Sequence, residues 1–195
     1  MGVIKTALEI ALEKTGNVKG DKSSINQYEA KQKGIKIANA FLSGGIDDIA
    51  DDLKKAPSQD RDSVKQGIFD VLVSQIALPD SKENITKMER IGKGLFSVIK
   101  SGEFQAMYKQ LLQIFSRYTE ELANYEQMIE QQYAPKLRKK EEELSRRMGR
   151  EVRIDPLQDP EFVTFYNQHM SALKGNYEPI VEQARNEAKR IFAVK

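Results

Sequence analysis

Forty-five consecutive residues, Phe104 to Met148, contain no Gly and a single Pro. Within them apolar side chains fall at Leu111, Phe115, Tyr118, Leu122, Tyr125 and Ile129, in alternating steps of four and three. That spacing is the seam of a helix packed along another helix. At 1.5 Å per residue the helix runs roughly 65–70 Å, too long to lie inside one globular core. After Ile129 the steps become four and four, through Tyr133 to Leu137, a stutter in the heptad pattern with Pro135 inside it. Proline removes one backbone hydrogen bond and crowds the preceding turn. Ala134 is a poor cap for a fresh helix, so a kinked continuous helix is expected.

The segment GREVRIDPLQDP then reverses the chain. Gly149 can end the long arm, and Asp155-Pro156 and Asp159-Pro160 each offer an N-cap followed by proline at the first helical position. A last helix follows to about Phe192, with apolar positions at Phe162, Tyr166, Met170, Leu173, Tyr177, Ile180/Val181, Ala184, Ala188 and Ile191. The expected fold class is all-α: an N-terminal cluster of short helices, then a coiled-coil-like antiparallel helical hairpin formed by about 103–149 and 157–193. A fold-back point near residue 154 sets Pro135 opposite Leu173, beside Gly175, and brings Phe192 to Gln113–Ser116. The corresponding domain division is 1–100 and 101–195.

Ahead of the arm the pattern gives several short helices. Residues 3–14 place Ile4, Ala7, Leu8 and Ala11 on one face, with Leu12 beside them, as a docking helix would. Ser24 and Gln27 are spaced as a capping box for a helix to about Ser43, whose middle Gly34 weakens by about 1 kcal/mol relative to Ala. Asp47, Asp48, Asp51 and Asp52 precede Lys54 and Lys55, the polarity that suits a helix dipole. An EF-hand counted from Asp47 fails, because positions 6 and 12 are Asp52 and Ser58. Asp62 to Leu78 reads as a helix stopped by Pro79, and D-S-K-E places Asp80 as the next N-cap with Glu83 reaching back. G-K-G at 92–94 lies inside a periodic helix, so these glycines read as close-packing points rather than a phosphate loop.

Composition narrows the chemistry. The chain has no Cys, which removes disulfides, thiolate zinc sites and Cys nucleophiles. His169 is the only imidazole and flanks the seam residue Met170; no E-x-x-H, H-E-x-x-H, G-x-S-x-G or Walker sequence occurs. No catalytic residue, metal ligand or cofactor is assigned, and no enzyme activity is expected. With 31 basic and 29 acidic residues, the balance speaks against a dedicated polyanion binder. No apolar run approaches a membrane span, and the N-terminus does not read as a secretory signal, so a cytoplasmic location is expected. MGVIKT fits the permissive myristoylation pattern, for which the docking helix is the simpler reading.

Two surfaces remain. The first is basic: Lys136, Arg138, Lys139 and Lys140 on the arm, with Arg146, Arg147, Arg150 and Arg153 near the tip. Glu141, Glu142, Glu143 and Glu151 interleave with them, so a solvated, salt-bridged face competes with a phosphate-contacting or acidic-partner tip. The second is aromatic: Tyr118, Tyr125, Tyr133, Tyr166 and Tyr177 lie along the two arms, as does Tyr108. They form the seam or they also face a partner that completes a bundle; both readings stand.

The opening KTALEIALEKT and the block QQYAPKLRKKEEELSRRMGREVRIDPLQDPEF resemble an uncharacterised family of bacterial helical proteins, found in spirochaetes among others. The resemblance covers most of the chain and implies a bacterial cytosolic origin; it implies no activity and no site. The functional expectation is a non-catalytic helical scaffold or adaptor that acts through protein–protein contacts of its hairpin and self-associates. The alternative is binding of nucleic acid or an acidic partner through the basic tip.

Overall fold

The computed structural model describes residues 22–194. The docking helix expected over 3–14, and the myristoylation pattern with it, lie outside the described residues. Among the described residues the fold is all-helical, with no strand: α1 (Lys22–Leu42), α2 (Ile49–Lys55), α3 (Arg61–Ser74), α4 (Lys82–Ile99), α5 (Gly102–Met148) and α6 (Pro160–Ala193), with a 3-10 turn at Pro156–Gln158. No described helix is long and apolar enough to cross a membrane. The chain divides into two compact units, Met1–Leu72 and Val73–Lys195. The division falls inside α3.

In the first unit α1 and α3 meet backbone to backbone. A methyl group on Gly34 would lie 2.1 Å from the Val64 carbonyl oxygen, and one on Gly67 would lie 2.2 Å from that of Lys31. Gly34 is therefore the residue that lets the helices cross, and its helix-weakening effect is secondary. Ala38, Phe41, Ile49, Leu53, Val64 and Ile68 are buried in this unit. Asp48 caps α2 by accepting from the Ala50 N–H at 2.8 Å, and Lys54 and Lys55 pair with Asp51 and Asp52 one turn back. These aspartates serve the helix, and no group of acidic or His side chains among the described residues could hold a metal ion.

Two caps differ from the expectation. The first described helix already includes Lys22, so Ser24 is inside α1 rather than at its cap. The N-cap of α4 is Ser81, with no side-chain cap bond; Asp80 instead accepts from the Asn84 side chain at 2.6 Å. The helix expected to reach Leu78 ends at Ser74, and Arg185 of α6 donates to the Ile76 carbonyl at 2.9 and 2.6 Å in the segment that follows.

In the second unit α4 joins α5 through Lys100 and Ser101. Lys100 has φ 48°, the left-handed conformation that closes α4, and Ser101 is the N-cap of α5. α4 then packs on the start of α5. The Tyr108 ring sits over Gly92, where a methyl group would fall 2.3 Å from Cε1, and the Tyr108 hydroxyl donates to the Met88 carbonyl at 2.8 Å. Gly92 is thus a close-packing point. α5 continues unbroken through Pro135 and ends at Gly149 with φ 64°; Asp155 and Asp159 cap the helical turns that open with Pro156 and Pro160.

Contacts between α5 and α6 fix their relative register. Phe162 packs on Ile129 and Tyr133, Leu173 on Tyr118 and Leu122, and Arg190 reaches Glu103. Chain positions fall on α5 as they rise on α6. The expectation that Phe192 stops at Gln113–Ser116 is therefore corrected: the return reaches the first turn of α5. Pro135 likewise lies one residue from Lys136, the partner of Glu161, and not opposite Leu173. The cause is the loop over residues 150–155. The Val152 N–H donates to Ser145 Oγ at 2.9 Å and the Ile154 N–H to Glu141 Oε1 at 2.9 Å. Irregular, extended chain advances about 3.3 Å per residue against 1.5 Å in a helix, so the loop passes the last turns of α5 in few residues.

Replacing Gly34 with Ala should destabilise the first unit by about 1–3 kcal/mol, because the new methyl meets a backbone carbonyl that cannot rotate away. Gly175→Ala, in open space inside α6, should gain up to about 1 kcal/mol. Urea unfolding of both variants reads the opposite signs.

Candidate functional site

The basic residues of the sequence separate into two sets. Lys136 and Lys140 reach toward the start of α6, Lys140 half-buried and Lys136 at the surface. Lys140 Nζ donates to Asp159 at 2.7 and 2.9 Å and to Glu161 at 2.9 Å; Lys136 Nζ pairs with Glu161 at 2.7 Å. Tyr133 donates its hydroxyl to Asp159 Oδ2 at 2.9 Å, and its ring stacks edge-on against Phe162 with centroids 5.2 Å apart. Asp159 is 5% exposed, the lone buried carboxylate among the described residues, and it also accepts the Glu161 N–H as the N-cap of α6. Hydrogen bonds from Lys140 hold the Asp159 carboxyl below its usual range, and those from Lys136 and Lys140 bring Glu161 to about 2. The same bonds push the Lys140 ammonium up. Both lysines thus hold ion-pair partners within the fold, which the sequence did not indicate because Asp159 and Glu161 are about twenty residues away.

The second set faces water. Arg146 lies 3.8 Å from Glu142, and Arg153 lies 3.3 Å from Glu151. Arg138, Lys139, Arg147 and Arg150 are exposed and have no ion-pair partner among the described residues. Exposed apolar side chains share this end of α5: Leu144 and Met148, one turn apart, and Leu157 on the 3-10 turn, at 36%, 52% and 69% exposure. Leu144, Ile154 and Pro160 line a groove of about 270 Å³ that Arg147, Glu143 and Lys140 border. The α5 stripe through Ile129, Tyr133 and Leu137 continues to Leu144 and Met148, but α6 begins only at Pro160. The last turns of α5 therefore have a loop for a neighbour, where the earlier turns have a helix.

The tyrosines are seam residues. Tyr118 and Tyr177 pack with centroids 4.9 Å apart, Tyr133 is buried, and Tyr125 is half-buried against two apolar clusters, the one at Leu173 and the one at Phe162. Two hydroxyls cross to carboxylates on the other helix, Tyr166 to Glu126 at 2.8 Å and Tyr177 to Glu121 at 2.7 Å. Burial, reinforced by the carboxylate each one meets, pushes both phenols up to about 12. The Tyr118 hydroxyl is buried with no hydrogen-bond partner among the described residues, and burial raises it, helped by Asp80, Glu178 and Glu126. His169 lies edge-on against Phe165, centroids 4.4 Å apart, and is half-buried.

The end of α5 thus sets unpaired cations beside exposed apolar side chains, next to a seam in which Tyr133, Tyr166 and Tyr177 are bonded to carboxylates. The chain belongs to a family of unknown function, DUF6657, which matches residues 50–190 and so takes in α3 to α5, most of α6 and the whole of this end. No curated protein and no solved structure matches the chain significantly.

Tyr118→Phe should raise stability by up to about 1–2 kcal/mol, because it removes an unsatisfied buried hydroxyl; a denaturant midpoint that falls would show that the hydroxyl is solvated. The seam should also loosen at both ends of the pH scale. Asp159 and Glu161 bind protons less tightly folded than unfolded, so their contribution is complete above about pH 4.5 and lost as pH falls toward 2. Tyr166 and Tyr177 hold protons more tightly folded, so theirs is complete below about pH 10 and lost as pH rises toward 12. Thermal midpoints across that range test both limbs, with Asp159→Asn flattening the acid limb and Tyr166→Phe/Tyr177→Phe the alkaline one.

Proposed function

We propose that this protein is a non-catalytic scaffold or adaptor that acts through protein–protein contacts of α5 and α6, read together as a coiled-coil hairpin, and that it self-associates. The observation that carries the reading is the end of α5, where Leu144, Met148 and Leu157 lie exposed beside cations that have no ion-pair partner among the described residues. Exposed large apolar side chains gathered at one place and rimmed by polar groups mark interaction surfaces. The Tyr–carboxylate bonds move the expected contact away from the seam, since those rings and hydroxyls already have partners within the chain. Met128 on α5 and Phe96 on α4 are further exposed apolar residues on which copies can meet. The cellular setting we infer, from the sequence resemblance, is the bacterial cytoplasm.

The second reading is nucleic-acid binding at the same end, favoured by Arg138, Lys139, Arg147 and Arg150. Against it, residues 136–161 hold eight basic and seven acidic side chains, a nearly neutral field for a polyanion.

Multi-angle light scattering of the full chain at several concentrations should show a dimer or larger species. A strict monomer removes self-association from the proposal. Binding of a duplex oligonucleotide that falls steeply with salt and is abolished by Arg146→Glu/Arg147→Glu/Arg150→Glu would favour the second reading instead.

A further inference from the structure

We propose that the end of α5 is where two copies of this chain meet, laid antiparallel about a two-fold axis at the level of Ser145; the inference rests on the self-association in the scaffold reading and names its surface. The end carries an apolar stripe, a recess and a flank of mixed sign. Leu144 and Met148 continue the seam that α6 covers on the earlier turns, so a helix laid along α5 suits them. Leu144, Ile154 and Pro160 line the recess. On its flank Glu143 and Arg147 stand one turn apart, both exposed and neither in an ion pair among the described residues.

A second α5 end is complementary to that arrangement. In an antiparallel two-fold pair the same flank of each helix faces its counterpart, and every contact occurs twice. With the axis at Ser145, Glu143 of one copy stands level with Arg147 of the other, and both ion pairs form together. Leu144 then sits between the second copy's Leu144 and Met148. Met148 reaches the level of the second copy's Glu142, between its Lys140 and Leu144, which line the recess. One register thus satisfies both the charges and the apolar stripe. A parallel copy turns the opposite flank toward Glu143 and Arg147 and loses both pairs. A partner of a single sign gains from one of these side chains and is repelled by the other. Few side chains take part, so the dimer belongs to the weak, transient class.

The test is sedimentation velocity of the full chain over a range of concentrations. Glu143→Arg and Arg147→Glu each set like charges against one another and should weaken dimerisation about tenfold or more. Glu143→Arg/Arg147→Glu restores opposite signs in the same register and should return it to the wild-type level. An equimolar mixture of the two single variants should form heterodimers, a gain that loss of folding cannot imitate. Leu144→Ser/Met148→Ser should dissociate the dimer with circular dichroism unchanged. Failure of the double reversal to restore the dimer overturns the antiparallel pairing. An oligomer that ignores all these substitutions removes this proposal and leaves the scaffold reading, whereas a strict monomer removes self-association altogether. A monomer that instead binds a designed helical peptide flanked by Glu or by Lys overturns the proposal and gives the surface to a different protein.

Discussion

The buried carboxylate of Asp159 sets where α6 begins and therefore where every later contact along it falls. One side chain caps the helix, takes the Tyr133 hydroxyl and takes the Lys140 ammonium. A charge this well enclosed is tolerable only with each oxygen bonded, and Lys140 and Tyr133 of α5, with the Glu161 N–H, meet that need. The joint pins α6 axially, much as a cross-strand pair fixes register in a sheet. Downstream, Tyr166 and Tyr177 meet Glu126 and Glu121, and Arg190 meets Glu103, at positions that only one axial placement of α6 permits.

A two-helix seam is thin, and tyrosine suits it for a reason other than tolerance of water. The ring supplies apolar area on the seam while the hydroxyl reaches a carboxylate at the seam's edge. Leucines alone would bury area in any of several registers; hydroxyl–carboxylate pairs are satisfied in one. Specificity of pairing and burial are thus divided between two parts of the same side chain. Tyr118 departs from this, since its ring packs with Leu122 and Leu173 and its buried hydroxyl finds no acceptor among the described residues.

Much of the architecture is legible in the sequence because it is local. Period-3.5 spacing marked α5, Gly149 marked its end, and Asp155-Pro156 and Asp159-Pro160 marked the turns that follow, each through contacts within four residues. What sequence spacing could not show involves partners distant along the chain. Gly34 looks like a defect until Val64 is placed beside it, and Lys136 and Lys140 look like members of a basic patch until Asp159 and Glu161 return to meet them. The register error has the same origin. Counting residues as though the whole return rose at helical pitch ignores the extended loop, whose course depends on Ser145 and Glu141 receiving its amides. The candidate contact end was half visible: its arginines were, but the exposure of Leu144 and Met148 follows from where α6 starts.

That loop works as a vernier. It advances at roughly twice the helical rise, so one residue added or removed between 150 and 155 displaces α6 by about two helical positions along α5. A shift of two positions also turns the facing surface by about 200°, which carries seam residues to the outside. Substitutions in the loop are therefore cheap for an evolving or engineered chain wherever Val152 and Ile154 keep their amides, whereas changes in its length are not. Length variants would be viable only in sets that restore a whole number of turns, and each such set would leave a different number of α5 turns uncovered. The reach of the exposed end is in this sense encoded by residue count in a short irregular segment, independently of the residues that form the end itself.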